Sequence, residues 1–172
     1  MEEANERIVK LFLENRGFLV KTSQRVKIRK NLFLEADIIA LRPVNRNDGI
    51  PNKIIGEVKS WPVKPKNFRK LIKKGEKPYF KSFKYLNNEG YKKIFKDKIE
   101  EKFGKGFKFA IFSRPPANKH KERLDNFFKK EDIFYLDHIT LLNNLIKELD
   151  EYSYSNDPEL QILRLLKRFG KI

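Results

Sequence analysis

Glu57 and Lys59 stand two residues apart in KIIGEVKSW (53–61), and Asp37 lies twenty residues earlier in FLEADIIAL (33–41). Both segments are short, rich in Ile, Leu and Val, and bounded by Arg42-Pro43 and Trp61-Pro62, the pattern of buried strands. Side chains alternate across a strand, so Glu57 and Lys59 project to the same side. Unpaired charge on buried strands is costly, and even a paired cluster adds little net stability compared with apolar side chains. A charged trio in this setting therefore points to chemistry. Asp37 and Glu57 on adjacent strands supply the hard oxygen pair that Mg²⁺ takes, with Mn²⁺ as substitute, and the Val58 carbonyl adds a third oxygen. Such an ion offsets charge on a scissile phosphate and lowers the pKa of an attacking water, which is what phosphodiester hydrolysis needs. Lys59 between two carboxylates is held as the ammonium, suited to orienting water and stabilising negative charge rather than to acting as a free base.

Several elements must position these residues. ANERIVKLFLENRGF (4–18) reads as a helix with Ile8, Val9, Leu11, Phe12 and Leu13 on a broad apolar arc and Gly17 as its stop. FLVKTSQRVKI (18–28) reads as a strand bent near Thr22 to Gln24, and RPVNRNDGIPN (42–52) as a long hairpin connection. Residues 62–106 are expected to be irregular through Pro62, Pro65, Gly75 and Pro78, then helical from Tyr79 to Phe103, with Asn87-Asn88-Glu89-Gly90 as a point of interruption. Phe80, Phe83, Tyr85, Leu86, Tyr91, Ile94, Phe95 and Ile99 are its candidate inward positions. A strand at 107–113, a helix at 118–130, a short strand at 132–137 and a helix at 138–150 follow. Asp157-Pro158 then opens a terminal helix. Alternating strands and helices imply an α/β fold with a central mixed β-sheet flanked by α-helices. The expected organisation is a core over 1–150, carrying a basic insertion at 62–106, and a C-terminal helical extension at 151–172.

The order helix, strand, Asp-bearing strand, Glu-x-Lys strand, helix, strand resembles the PD-(D/E)xK nuclease superfamily. Asp37 in EADIIAL and Glu57, Val58 and Lys59 in IGEVKS carry that resemblance, over residues 1 to about 150. It implies a restriction-endonuclease-like core, a magnesium-dependent nuclease and a DNA substrate in repair, recombination or defence. The pattern is nearest to archaeal Holliday-junction resolvases and Mrr-type enzymes, with Ala36 in place of the usual Pro before the Asp. Many members also use a Glu from the first helix. Of the candidates here, Glu6 lies at the margin of the apolar arc beside Val9 and Leu13, whereas Glu3 and Glu14 fall on the solvated side and Glu2 at a fraying end. A surface pair of Glu6 with Lys10 at i,i+4 is the competing reading. The hairpin connection and the segment before FKFAIFS are longer than the resolvase pattern expects, so junction specificity is not implied.

Net charge is +16, and the surplus sits between residues 62 and 108, where 16 Lys and Arg face 5 Asp and Glu. A one-sided basic field attracts nucleic acid. Lys64, Lys66, Arg69, Lys70, Lys73, Lys74 and Lys77 follow the Glu-x-Lys strand and are the expected phosphate contacts. With no Cys and only His120 and His138, thiolate zinc sites, Cys nucleophiles and His-rich metal sites are excluded. A charged N-terminus without a signal-peptide pattern and no long apolar run lead to the expectation of a cytoplasmic, nucleoid-associated protein with no membrane partner. The terminal helix reads equally as a homodimer contact or as closure of the domain's own core. The alternative to an enzyme is a nuclease-like module that holds nucleic acid or assembles a complex without cutting.

Overall fold

The computed structural model describes residues 4–77, 83, 85–149 and 157–169. Its elements are α1 (Ala4–Asn15), β1 (Leu19–Arg29), β2 (Leu32–Leu41), β3 (Lys53–Pro62), two short 3₁₀ turns (Pro65–Asn67 and Arg69–Leu71), α2 (Glu89–Phe103), β4 (Lys108–Arg114), α3 (Asn118–Lys130), β5 (Ile133–Asp137), α4 (His138–Glu148) and α5 (Pro158–Arg168). The strands form one sheet in chain order, β1 to β5. β1–β2 and β2–β3 are antiparallel, while β3–β4 and β4–β5 are parallel. The parallel strands are joined through α2 and α3, as parallel neighbours require a crossover.

The sheet separates two hydrophobic clusters. Phe95 and Ile99 of α2, Leu124, Phe127 and Phe128 of α3, and Phe68, Phe83 and Tyr85 from the basic segment pack with Ile39, Ile55 and Ile111 on one face. Val9, Phe12 and Leu13 of α1 and Leu141 and Leu145 of α4 pack with Ile38, Ile54, Val58 and Phe112 on the other. α1 ends as expected at Gly17 (φ 81°): the Phe18 N–H reaches Leu13 O at 3.1 Å and the Gly17 N–H reaches Glu14 O at 2.9 Å, a Schellman closure. The bend expected in β1 is at Ser23 (φ 52°), which stands opposite Asp37 between the pairs Thr22–Ile38 and Gln24–Ala36. The hairpin rolls there. Leu34 and Ala36 pack in the first cluster, but Ile38 and Ala40, of the same alternation, pack in the second.

The basic segment departs from expectation. α2 begins at Glu89, because the Asn88 side chain caps it by accepting the Tyr91 N–H at 3.1 Å, and Tyr85–Asn87 form a turn instead of helix. Tyr79 and Phe80 fall outside the described residues. Phe95 and Ile99 face the core as expected, but Ile94, also expected inward, is 39 % exposed, because it lies about 100° around the helix from Phe95. Two asparagines tie the 3₁₀ turns to this region: Asn87 donates to Asn67 O at 2.9 Å and accepts from the Arg69 N–H at 2.8 Å. The hairpin connection wraps a buried Arg42, which donates to Asp48 at 2.6 and 3.0 Å and to Asn52 at 3.0 Å, with Phe18 stacked 4.6 Å from its guanidinium. At the chain's end, α5 lays Leu160 and Leu163 on the second cluster and is held by Arg7 to Glu159 at 2.8 Å, while Ile162, Leu165, Leu166 and Phe169 are exposed.

Candidate active site

The last paired rung between β2 and β3 is Ile38–Gly56. Beyond it the strands part, and Asp37 and Glu57 are the first residues past that point on each. Gly56 permits the close approach that sets the fork: a Cβ there would stand 3.1 Å from Phe112 Cε2 and 3.4 Å from Ile38 Cβ. With the ladder ended, the Val58 N–H has no strand partner on the β2 side, and the Asp37 carboxylate accepts it at 2.7 Å. N–H and C=O of one residue point to the same edge of an extended strand, so the Val58 carbonyl faces the fork as well.

Lys59 joins the two acids. Its ammonium lies 3.0 Å from Asp37 Oδ2 and 2.6 Å from Glu57 Oε2. The side chains are 17 % exposed for Lys59, 19 % for Asp37 and 6 % for Glu57, so the cluster is largely shielded from water. Phe83 lies 5.9 Å from the ammonium, and Tyr85 covers Glu57. Burial pushes the Glu57 carboxyl up to about 7, with Lys59 opposing and Asp37 adding to the rise. Burial works against charge on Lys59 too, but Glu57 and Asp37 outweigh it and raise its pKa, as expected of an amine between two carboxylates.

Lys59 and Val58 use one oxygen of each acid, Oδ2 of Asp37 and Oε2 of Glu57, and leave the second oxygen of each to other partners. The Tyr85 hydroxyl is buried against Glu57, and burial together with that carboxylate holds its proton in place. The donor set is all oxygen, in the number that Mg²⁺ takes from protein when water and phosphate complete its shell. Two carboxylates and a carbonyl fit such an ion.

The expected site residues separate on inspection. Asp37, Glu57, Val58 and Lys59 come together at the fork. Glu6 is half-buried on α1, which packs on the opposite face of the sheet from Phe83 and Tyr85, and among the described residues no three acids or histidines gather to share an ion. Glu35 pairs with Arg25 at 2.6 Å and is not drawn to the fork. Of the seven basic residues, Lys64, Lys66 and Lys73 line one cavity together with Lys119, His120 and Arg123 of α3. Lys70 is held by Glu131 at 2.8 Å and Glu89 at 3.0 Å, which makes it a tether between α2 and α3. Arg69 lies beside Lys70 over Asn87 and Phe127, and Lys74 and Lys77 are exposed.

Sequence reasoning missed Tyr85 as a lid on Glu57, having placed it only as a core aromatic. It also missed the α3 cations. A visible signal was available for those: Lys119, His120 and Arg123 occupy the first turns of a helix that has no acid in its first turn. No protein-family model, curated protein or solved structure matches the chain. Fold and site thus define an α/β protein whose five-stranded mixed sheet carries a buried Asp–Lys–Glu cluster where two strands diverge.

Proposed function

We propose that the chain is a metal-dependent nuclease of the PD-(D/E)xK type that hydrolyses phosphodiester bonds in DNA as an endonuclease. The observation that carries this reading is the Lys59 ammonium set between Asp37 and Glu57 at the open end of the β2–β3 ladder. Asp37, Glu57 and the Val58 carbonyl would hold a Mg²⁺ or Mn²⁺ ion, which supplies charge neutralisation at the phosphate and a water of lowered pKa. Lys59, cationic at neutral pH, donates to the incoming water or to a phosphate oxygen and stabilises the negative charge that develops there. Glu57 releases the proton that its burial retains, so that both acids are ionised when they act as ligands. Phe83 and Tyr85 exclude bulk water from the inner side of the fork, which strengthens each of these interactions. The positive segment beyond β3 attracts the polyanion to the fork's open side.

Incubation of the protein with duplex, single-stranded, branched and flapped DNA tests the proposal, with Mg²⁺, with Mn²⁺ and with chelator. Cleavage of at least one substrate that stops on chelation is expected. No cleavage of any substrate with either ion refutes the proposal.

A further inference from the structure

Beyond β3 a cavity of about 420 Å³ is lined by Lys64, Lys66, Lys73, Lys119, His120 and Arg123, with Pro65 and Glu76 completing the wall. Three separate stretches of chain bring five cations to one concavity, against one acid. Like charges so placed repel, and a concave wall concentrates their field. Several lysines elsewhere are matched to acids: Lys70 and Lys92 with Glu131, and Lys108 with Asp132. Lys64, Lys73 and Lys119 make no ion pair among the described residues, and all three are exposed. Arg123 is anchored by its bond to Leu71 O, which fixes its guanidinium at the wall. The start of α3 adds to the field, because its Ala117 cap offers no side chain to the free N–H groups. The lining contains no Phe, Tyr or Trp and is dominated by ammonium and guanidinium donors, the chemistry that receives an anion with several oxygens.

The cavity lies close to the fork. Lys64 follows Lys59 by five residues, which span at most about 18 Å of extended chain. With about 6 Å added for the reach of each lysine side chain, a helical strand rising about 3.4 Å per nucleotide covers the gap in no more than about nine nucleotides.

We propose that this cavity binds one phosphate group of the strand being cut, at a position within about nine nucleotides of the scissile bond. The phosphate is either an internal diester or a strand-terminal monoester, both of which present the same oxygens. The link to cutting rests on the nuclease reading; the binding of phosphate does not.

The test measures binding of fluorescent oligonucleotides in chelator, with no cleavage, across a salt series. Lys64→Ser/Lys73→Ser/Lys119→Ser is compared with Lys21→Ser/Lys93→Ser/Lys147→Ser, which removes the same charge at exposed positions outside the cavity. The cavity triple variant is expected to weaken binding by about tenfold or more, and to lower the slope of log affinity against log salt by about one, the value for a single phosphate. The control variant is expected to stay within about twofold of wild type. Equal weakening by the two variants overturns the proposal, as does a slope change near three, which would mean separate contacts along a surface. Failure of the wild type to bind any oligonucleotide overturns it too. Oligonucleotides with and without terminal phosphates identify the source: a loss confined to phosphorylated ends assigns the monoester, and a loss on both assigns the diester. If the cavity variant behaves as expected while wild type never cuts, the cavity stands and the nuclease reading falls. If wild type cuts and the two variants bind alike, the cavity alone falls.

Discussion

Replacing Glu57 by Gln is expected to stabilise the metal-free protein and abolish its activity. Glu57 titrates near 4.5 as an ordinary carboxyl and is pushed up to about 7 in the fold, first by burial and secondarily by Asp37, against the pull of Lys59. Between those values the folded state holds a proton that the unfolded chain has lost. Stability therefore falls as pH rises from about 4.5 to about 7, and the deficit persists above that. At about 1.4 kcal/mol per pH interval, the ionised carboxylate costs the metal-free fold about 3 kcal/mol at pH 8. Gln resembles the protonated acid and escapes this cost. Urea denaturation in chelator should thus place Glu57→Gln about 3 kcal/mol above wild type at pH 8 and less than about 1 kcal/mol above it at pH 5. Groups remote from the fork are common to both proteins and cancel in the difference, whereas Lys59, raised by Glu57 and Asp37 against its burial, keeps only Asp37 as counter-charge in the variant. A gap that is the same at both pH values, or a variant less stable than wild type at pH 8, would refute the reasoning that this carboxyl is kept against the interest of the fold.

Gly56→Ala should cost about 1–3 kcal/mol in the same denaturation assay, because its Cβ would meet Phe112 Cε2 at 3.1 Å and Ile38 Cβ at 3.4 Å in a filled core. Tyr85→Phe removes the hydroxyl that lies against Glu57 and pulls its carboxyl down, so that carboxyl should titrate higher in the variant when followed by NMR. Asp48 is lowered to about 2, chiefly by its hydrogen bond from Arg42, so its contribution is full above pH 4 and disappears as pH falls toward 2. Asp48→Asn should lower stability by up to about 2 kcal/mol throughout pH 5 to 8 and converge on wild type as pH falls to 2, so that the acid limb of its stability profile is flatter.

Residues that act locally were legible. The apolar run with Asp37 and the alternation of Glu57 and Lys59 located both strands, and the structure brings the three side chains to within hydrogen-bond distance. The Asp157-Pro158 start of α5 and the Gly17 end of α1 also hold, since caps are decided within a few residues. Long-range packing was not legible. Helical periodicity extended α2 back to Tyr79, yet the Asn88 cap and the packing of Phe83 and Tyr85 under the fork fix its start at Glu89. The clamp of Arg42 on Asp48 turns an apparently open connection into an ordered one, through a buried guanidinium that no local pattern announces. The run of lysines between 64 and 77 looked uniform in sequence. In space Lys70 became a tether, while Lys64, Lys66 and Lys73 met three α3 residues more than forty positions away. Helical margins placed Glu6 beside the apolar arc of α1, but which face of the sheet that arc covers, here the one carrying Ile38 and Val58, is decided by packing.

The central claim is that phosphodiester cleavage occurs at the fork and depends on its ammonium. Single-turnover cleavage by wild type and Lys59→Ala, on the same DNA with saturating Mn²⁺ and with matched folding and DNA binding, tests it most directly. Lys59→Ala is expected to cleave at least about 10²-fold more slowly, the scale of removing one donor aimed at developing charge. Equal rates in the two proteins would contradict it.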